Sequence, residues 1–254
     1  MVLQYASDLH LEFTENKAFL DRHPLQPVGN VLILAGDIVP FAFINQYIDF
    51  FSYLSDHFEK TYWIPGNHEY YHFDLATKSG KLYEKIRSNV FLINNMSLVI
   101  ENVAFTFSTL WSKISQVNEN RLMQAMNDFR LIKYHHLLFK PQQLNNMNQE
   151  SVEFLTKELA VTSTLKRVVV THHVPTFKNA PIKYRGSVMH EAMGLELSDL
   201  IEKTEPNYWI YGHIHRNNPD FKIGKTMMLT NQMGYIMKGE QNGFNANKTI
   251  IVSN

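Results

Sequence analysis

The chain contains no cysteine among its 254 residues. Disulfide bonds are therefore excluded, and a metal site in this protein cannot use thiolate ligands. An excess of charge of one sign is also missing, because 24 Lys and Arg residues balance 24 Asp and Glu residues. Proteins that bind nucleic-acid phosphates are usually basic, so this neutrality counts against nucleic acid as a partner, although it is compatible with a local basic patch.

Long apolar runs are a third absence. No run approaches the ~18 apolar residues that a membrane-spanning helix needs. Residues 1–5 enter a strand-like segment directly, without the basic and apolar regions of a signal peptide. We therefore expect a cytoplasmic protein with no membrane partner, although a leader cleaved from the natural chain would leave the same sequence. No pattern indicates the oligomeric state.

The composition is that of a globular protein, with 44% hydrophobic and 19% charged residues. Strand-like runs at residues 2–6, 31–35 and 61–64 alternate with helix-like patterns at 42–58 and 74–87. This alternation predicts an α/β fold with a parallel sheet. Residues 91–93, 98–100 and 103–107 then indicate an antiparallel continuation, with Glu101-Asn102 as the last turn. We predict one domain over residues 1–254, with a mainly helical insertion around residues 112–165.

Seven residues of types that bind metal ions lie in five short clusters, and nearly every cluster follows a strand-like run. The residues are Asp8, His10, Asp37, Asn67, His172, His213 and His215. A parallel sheet gathers the carboxyl ends of its strands at one edge, so clusters far apart in sequence can meet there. We predict that they do meet, and that they form a site for two divalent cations.

The spacing within the clusters fits this prediction. Asp8 and His10 are two residues apart, as are His213 and His215, and such pairs point the same way in an extended segment. Asp37 has two carboxylate oxygens and can bridge two ions, which lie about 3.5–4 Å apart in two-metal hydrolases. Nitrogen and oxygen ligands without sulfur suit Mn, Fe, Zn, Ni or Co. Each motif alone is more often a turn or a polar surface segment, so the inference depends on their conjunction.

The order Asp-x-His, Gly-Asp, Gly-Asn-His-Glu, Thr-His-His and Gly-His-x-His, between residues 7 and 215, resembles that of the calcineurin-like metallophosphoesterase superfamily. The resemblance implies a four-layer sandwich (α/β, or α+β in some schemes) of two mixed β-sheets flanked by helices, with a dinuclear metal site at the carboxyl ends of the strands. It implies that one ion is held by Asp8, His10, Asp37 and His215. It implies that the other is held by Asp37, Asn67, His172 and His213.

The resemblance also implies that Asp37 bridges the two ions and that His68 is the catalytic histidine beside them. His173 is the alternative to His172 as a ligand. Residues 109–111, 126–130 and 231–235 further resemble a bacterial branch of the superfamily.

One departure from the superfamily limits the substrate class. Its protein Ser/Thr phosphatases carry Asp-Arg-Gly three residues after the bridging Asp, whereas Ile38-Val39-Pro40-Phe41 follows Asp37 here. The arginine that would bind the phosphate of a phosphoprotein is absent. This argues against folded phosphoproteins as substrates.

Two cations lower the pKa of a water that bridges them, and the resulting hydroxide is the expected nucleophile; the cations also neutralise phosphoryl oxygens. We therefore expect a metal-dependent hydrolase of a small-molecule phosphate ester, monoester or diester, in which His68 protonates the leaving group. The alternatives are a Mn-dependent nuclease and a non-catalytic binding module on the same fold. Arg130 and His136 are the predicted substrate contacts. They are chosen from loop residues that also include Trp111, Asp128, His135, Lys183, Tyr184 and Arg185.

Overall fold

The computed structural model describes residues 1–179 and 187–252. The strands are β1 (Val2–Ala6), β2 (Val31–Ala35), β3 (Lys60–Ile64), β4 (Leu82–Arg87), β5 (Val90–Asn94), β6 (Met96–Ile100), β7 (Val103–Ser108), β8 (Lys133–Tyr134), β9 (Leu137–Leu138), β10 (Lys166–Thr171), β11 (Tyr208–Ile210), β12 (Phe221–Ile223), β13 (Thr226–Leu229) and β14 (Thr249–Ile251). The α-helices are α1 (Thr14–Arg22), α2 (Ile48–His57), α3 (Glu119–Ala125), α4 (Asp128–Leu131), α5 (Pro141–Ala160), α6 (His190–Met193) and α7 (Ser198–Thr204). Short 3-10 helices include Phe41–Tyr47, His68–Tyr70, Leu75–Thr77 and Ile236–Lys238.

Twelve of these strands form two six-stranded sheets of the same design. The first sheet has the order β14-β1-β2-β3-β5-β4, and the second has the order β12-β13-β11-β10-β7-β6. In each sheet the four central strands run parallel and the two edge strands are antiparallel to their neighbours. The carboxyl ends of the central strands therefore lie at one edge of each sheet.

Apolar residues fill three layers around the sheets. In β2 all five residues are buried, as expected for a strand covered on both faces. Its Val31 and Ile33 belong to the core between the sheets, whereas Leu32 and Leu34 pack under the helices outside the first sheet. A third cluster joins the outer face of the second sheet to α5 and α7. The four-layer α/β sandwich of two mixed sheets is therefore confirmed.

Residues 112–165 contain α3, α4, the small β8–β9 hairpin and α5. Leu122 of α3 and Phe129 and Leu131 of α4 join the cluster outside the first sheet. Helix α5 begins in that cluster with Leu144 and Met147 and ends in the cluster outside the second sheet with Leu155 and Leu159. The segment thus packs against the sandwich. None of the described helices is both long and apolar enough to cross a membrane.

The helix predicted at residues 74–87 is wrong. The Asp74 side chain caps a 3-10 turn, and residues 82–87 form β4, which pairs antiparallel with β5. Leu82 and Ile86 both pack on the core cluster outside the first sheet. A spacing of four places two side chains on one face of a helix, but it also does so in a strand, so the pattern was ambiguous.

The antiparallel continuation is only partly correct. Strand β5 pairs with β3 and β4 in the first sheet, and the chain then crosses at Asn95 to the second sheet. The hairpin between β6 and β7 is as predicted, because Glu101 and Asn102 both adopt the positive φ of a tight turn. Helix α1 was not predicted.

Candidate metal centre

The predicted metal ligands meet where parallel strands from both sheets end. Asp8, Asp37 and Asn67 follow β1, β2 and β3 of the first sheet, while His172 and His213 follow β10 and β11 of the second. These residues are far apart in sequence but lie in direct contact, as the distances below show. The sandwich therefore joins clusters that each sheet alone would keep apart.

One group of donor atoms comes from Asp8, His10, Asp37 and His215, and these atoms lie within 4.8 Å of one another. His215 Nε2 is 3.4 Å from Asp8 Oδ1 and 2.8 Å from His10 Nε2. His10 Nε2 is in turn 3.7 Å from Asp37 Oδ2. Two imidazoles and two carboxylates thus face a common point.

A second group lies beside the first. His172 Nε2 is 3.4 Å from Asp37 Oδ2, 3.2 Å from Asn67 Oδ1 and 3.2 Å from His213 Nδ1. Asp37 Oδ2 belongs to both groups, and Asp37 Oδ1 accepts a hydrogen bond from the backbone N–H of His68 at 2.9 Å. One carboxylate oxygen therefore lies between two sets of donors.

Carboxylates fix two of the four histidine rings from behind. His10 Nδ1 lies 3.2 Å from Glu12 Oε1, and His215 Nδ1 lies 2.7 Å from Glu240 Oε2. These acceptors favour a hydrogen on Nδ1, so the lone pair of Nε2 faces the group of donors. This is the arrangement that metal-binding histidines have in proteins.

Backbone carbonyls fix the other two rings. His172 Nδ1 lies 2.9 Å from the carbonyl of Ala35, and His213 Nε2 lies 3.2 Å from the carbonyl of Ala192. All four rings therefore turn a lone pair towards the cluster. Four such nitrogens, with carboxylate and amide oxygens, form a donor set that fits two divalent cations of the Mn, Fe, Zn, Ni or Co type.

The buried carboxylates attract positive charge to this point. Burial lowers the pKa of His215, but Asp8 and Glu240 outweigh burial and raise it to about 10. Burial likewise opposes the charged form of His172, yet Asp37 raises its pKa to about 9. Bound cations satisfy the same carboxylates, and the rings can then serve as neutral ligands.

Most of the predicted ligands adopt an unusual backbone conformation. Five of them have positive φ: Asp8 (55°), His10 (46°), Asp37 (56°), His213 (78°) and His215 (48°). This left-handed region costs an L-residue other than glycine about 1–2 kcal/mol. The surrounding sheets hold these residues there, and such backbone strain is concentrated at functional sites.

Two glycines let the loops approach each other closely. A Cβ on Gly66 would overlap the Asp37 carboxylate and the His172 ring. A Cβ on Gly212 would lie 2.6 Å from Asp8 Oδ2. Any side chain at these positions would therefore displace a predicted ligand.

Asp128 orients the amide of Asn67. Its Oδ1 accepts from Asn67 Nδ2 at 3.0 Å and from the Tyr71 hydroxyl at 2.8 Å. The Asn67 carbonyl oxygen therefore faces His172 and the donor cluster. Burial raises the pKa of Asp128, while the two donors oppose this shift. The sequence prediction had placed Asp128 among the candidate substrate contacts.

Glu69 ties the loops after β2 and β3 together behind the site. Its two carboxylate oxygens accept from the backbone N–H groups of Asp37 (2.9 Å), Ile38 (2.6 Å) and Gly66 (2.6 Å), and from Trp63 Nε1 (3.1 Å). The side chain is wholly buried. Burial and the Asp37 carboxylate raise the pKa of Glu69 to about 8 against the effect of its N–H donors. Glu69 thus fixes the chain on both sides of the shared carboxylate.

His68 lies beside the metal-ligand candidates and contacts Glu12 and Tyr235. Its Nδ1 is 2.9 Å from Glu12 Oε1, and its Nε2 is 3.3 Å from the Tyr235 hydroxyl. Burial lowers the pKa of His68, but the Asp37 and Glu12 carboxylates outweigh burial and raise it. The ring is therefore held on one side and faces the opening of the site on the other.

That opening is a cleft of about 250 Å³. Its described lining residues are Asp37, Asn67, His68, Met189, Ala192, Met193, His213, Ile214, His215, Tyr235, Lys238 and Glu240. Among them, Lys238 carries the one ammonium or guanidinium group, and its Nζ lies 4.7 Å from the centre of the Tyr235 ring. The cleft is thus small and has a cation at its edge.

The predicted substrate contacts are not brought to this cleft. Arg130 donates to the backbone carbonyl of Gln124, and the His136 side chain is 93% exposed beside Asp74. Neither is among the described residues that line the cleft. Their contact with substrate stays a prediction that no observed distance favours. Residues 180–186, which include the candidate contacts Lys183, Tyr184 and Arg185, lie outside the described residues.

The structure separates the two adjacent histidines. The His172 ring joins the donor cluster, whereas His173 Nδ1 is 3.4 Å from the carbonyl of Thr109 and its ring packs against His213 and Trp111. Burial holds the pKa of His173 well below its usual value. His172 therefore occupies the position predicted for the ligand.

Several residues of the site were not given a role from the sequence, among them Glu12, Tyr235 and Glu240. Glu12 follows His10 by two residues, so the same-face argument used for Asp8 and His10 would also have included it. Tyr235 lies in a stretch noted only for its resemblance to a bacterial branch. Glu240 stands in an irregular segment without periodicity, where nothing in the sequence connects it to His215.

Comparisons with known proteins agree with this geometry. A family model for calcineurin-like phosphoesterases matches residues 5–217. An uncharacterized protein of Acanthamoeba polyphaga mimivirus is 30% identical over 269 residues, covering 96% of this chain and 94% of the viral protein. The solved structure of phosphopantetheinyl hydrolase from Mycobacterium tuberculosis superposes with a TM-score of 0.72 at 17% identity, covering 99% of this chain and 96% of that one.

The structural likeness shows a shared fold, and the family match extends from the end of β1 to the segment that follows His215. The chain therefore belongs to the calcineurin-like phosphoesterase family.

Proposed function

We propose that this protein is a metal-dependent hydrolase of small phosphate esters. Family membership supports phosphoester hydrolysis by a metal-dependent enzyme. The observation that carries the proposal further is the position of Asp37 Oδ2, which is within 3.7 Å of His10 Nε2 and within 3.4 Å of His172 Nε2. A carboxylate shared by two sets of donors is what a pair of cations requires.

In this proposal the ligands of each ion are the two donor groups described above. Asp8, His10, Asp37 and His215 hold one ion. Asp37, Asn67, His172 and His213 hold the other. When bound, the ions activate water and neutralise phosphoryl oxygens. Metal analysis of the purified protein is needed to choose among Mn, Fe, Zn, Ni and Co, because all of them accept nitrogen and carboxylate ligands.

His68 is the proposed proton donor to the leaving group. Its Nε2 faces the cleft, and its ring lies against those of His10 and Tyr71 with centroids 4.4 and 4.0 Å apart. The backbone N–H of His68 donates to Asp37, which sets the distance between the ring and the cluster. A leaving alkoxide or phenoxide needs a proton, and histidine is suited to supply it near neutral pH.

The substrate is proposed to be a small anionic ester. A cleft of about 250 Å³ suits a small group, and Lys238 at its edge offers a positive charge to phosphate oxygens. Phe41 occupies the position of the missing phosphatase arginine; it is buried in the core, does not line the described part of the cleft, and has no charge to offer a phosphate. Monoesters and diesters both remain open, and the name of the structural neighbour adds phosphopantetheinyl compounds to the substrates worth testing.

The test uses purified protein stripped of metal and reloaded separately with Mn²⁺, Zn²⁺, Ni²⁺ and Mg²⁺. Each form is assayed on p-nitrophenyl phosphate, bis(p-nitrophenyl) phosphate, a phosphopantetheinyl ester, plasmid DNA and a single-stranded oligonucleotide. We expect two ions per chain and turnover of a small ester that disappears on stripping. Turnover of the nucleic acids alone would indicate a nuclease, and two bound ions without turnover of any substrate would indicate a binding module.

A further inference from the structure

Glu12 touches two histidines of the site with a single oxygen. Its Oε1 is 3.2 Å from His10 Nδ1 and 2.9 Å from His68 Nδ1. The two rings meet edge to face, with centroids 4.4 Å apart. One carboxylate oxygen therefore lies behind both a proposed metal ligand and the proposed proton donor.

We propose that Glu12 is a positioning residue that fixes the rings of His10 and His68 together, and so links metal binding to protonation of the leaving group. This inference rests on the proposed function. To donate to Glu12, each ring must carry a hydrogen on Nδ1. Nε2 is then the nitrogen that each ring presents to the site, towards Asp37 for His10 and towards the cleft for His68.

Tyr235 marks the point that His68 faces. Its hydroxyl is 3.3 Å from His68 Nε2, and its ring packs against His10 with centroids 4.8 Å apart. Because Tyr235 lines the cleft, a leaving-group oxygen bound there can reach the same nitrogen. Rotation of the His68 ring would turn Nε2 away from that oxygen, and the contact with Glu12 opposes this rotation.

The burial of Glu12 shows how much it depends on the two rings. Its side chain is 14% exposed, and Oε2 has no hydrogen-bond partner within the described part of the chain. A buried carboxylate is costly unless it is paired. Glu15, three residues later on α1, is exposed and provides a matched control.

The same three side chains could instead hold a third ion, because His10, Glu12 and His68 offer donor atoms within 4.8 Å of one another. That alternative needs a lone pair on each Nδ1, whereas the positioning role needs a hydrogen there. The two readings therefore predict different ring tautomers and a different number of ions.

The first experiment reads the tautomers without any assay of activity. Long-range ¹H–¹⁵N NMR of the Zn²⁺-loaded full chain should show hydrogen on Nδ1 of both His10 and His68, with signals assigned by His10→Ala and His68→Ala variants. Glu12→Ala should convert His68 to a mixture of forms, and Glu15→Gln should not. Hydrogen only on Nε2 of His68, no change in Glu12→Ala, or a third bound ion would overturn the inference.

The second experiment separates the two rings. In Glu12→Gln, which preserves size but not charge, we expect Mn²⁺ affinity and turnover each to fall ~10–100-fold, the usual effect of removing a partner of a metal-bound histidine. The loss of turnover should be larger for a phenyl ester than for the p-nitrophenyl ester, whose leaving group needs a proton less. Glu15→Gln should match wild type in both.

Each outcome has one meaning. An equal loss for both esters would overturn the role at His68, and unchanged Mn²⁺ affinity would overturn the role at His10. If the loaded wild-type protein hydrolyses no ester, the proposed function fails on its own account. The tautomers of His10 and His68 would still decide whether Glu12 positions the two rings.

Discussion

Replacement of Glu69 should lower the stability of this protein. Its carboxylate accepts four N–H groups, from Asp37, Ile38, Gly66 and Trp63, in a wholly buried position. Glu69→Ala leaves these four donors without a partner, at about 1–3 kcal/mol each. The variant also loses the desolvation cost of a buried carboxylate, so we expect a net loss of about 3–5 kcal/mol in the free energy of unfolding.

The measurement is urea unfolding of the metal-free chain, monitored by circular dichroism. For a domain of about this size, each kcal/mol lowers Tm by about 2–4 °C, so the loss should also lower Tm by ~6–20 °C. Glu69→Gln retains one acceptor oxygen and should fall between wild type and Glu69→Ala. Glu150→Ala, on the exposed face of α5, should stay within about 0.5 kcal/mol of wild type. A loss below ~1 kcal/mol in Glu69→Ala would refute the reasoning, because four buried donors cannot lose their acceptor at so small a cost.

Four further predictions concern the site and its surroundings. Asp37→Ala should lose bound metal and activity together by elemental analysis and assay; full metal content would contradict the bridging role. His68→Ala should retain metal but lose turnover by ~10²–10⁴-fold, whereas an unchanged rate would exclude it as the proton donor. Lys238→Met should raise KM more than it lowers kcat in steady-state kinetics. An unchanged KM would show that Lys238 does not contact the substrate. Burial opposes the charged form of Glu191, but hydrogen bonds led by the Ser115 N–H outweigh burial and lower its pKa. The stability that the Glu191 carboxylate adds should therefore be present above pH ~5 and fade as pH falls below ~4. The gap in urea midpoint between wild type and Glu191→Gln should close over that range, and a constant gap would show that its charge adds nothing.

The part of the site that could be predicted from sequence depends on strand ends. Asp8, Asp37 and His172 each follow a strongly apolar strand, and the rule that parallel strands end at one edge was enough to bring them together. The two sheets contribute different members, and their pairing into one sandwich came from the family resemblance. Side-chain periodicity gives the faces of a strand but not the sheet that it joins, which is why β5 was joined to the wrong partners.

The supporting residues were harder to predict because their partners are distant in sequence. Glu240 contacts His215 through a loop, and Asp128 holds Asn67 from the start of α4, 61 positions away. Neither pair has a spacing that a helix or strand would reveal. Arg130 was predicted to contact a substrate phosphate from a loop near the site, but its guanidinium turns back to its own segment at Gln124. Charge in a loop indicates what a residue could bind, and only the fold decides what it can reach.

The positive-φ residues of the metal centre imply a trade-off between thermal stability and catalysis. At five positions glycine would relieve the backbone strain, since glycine adopts positive φ without a steric penalty. Each such exchange would also delete a ligand. Directed evolution of this chain for thermal tolerance alone should therefore tend to select variants that have lost ligands and activity, unless turnover is selected at the same time.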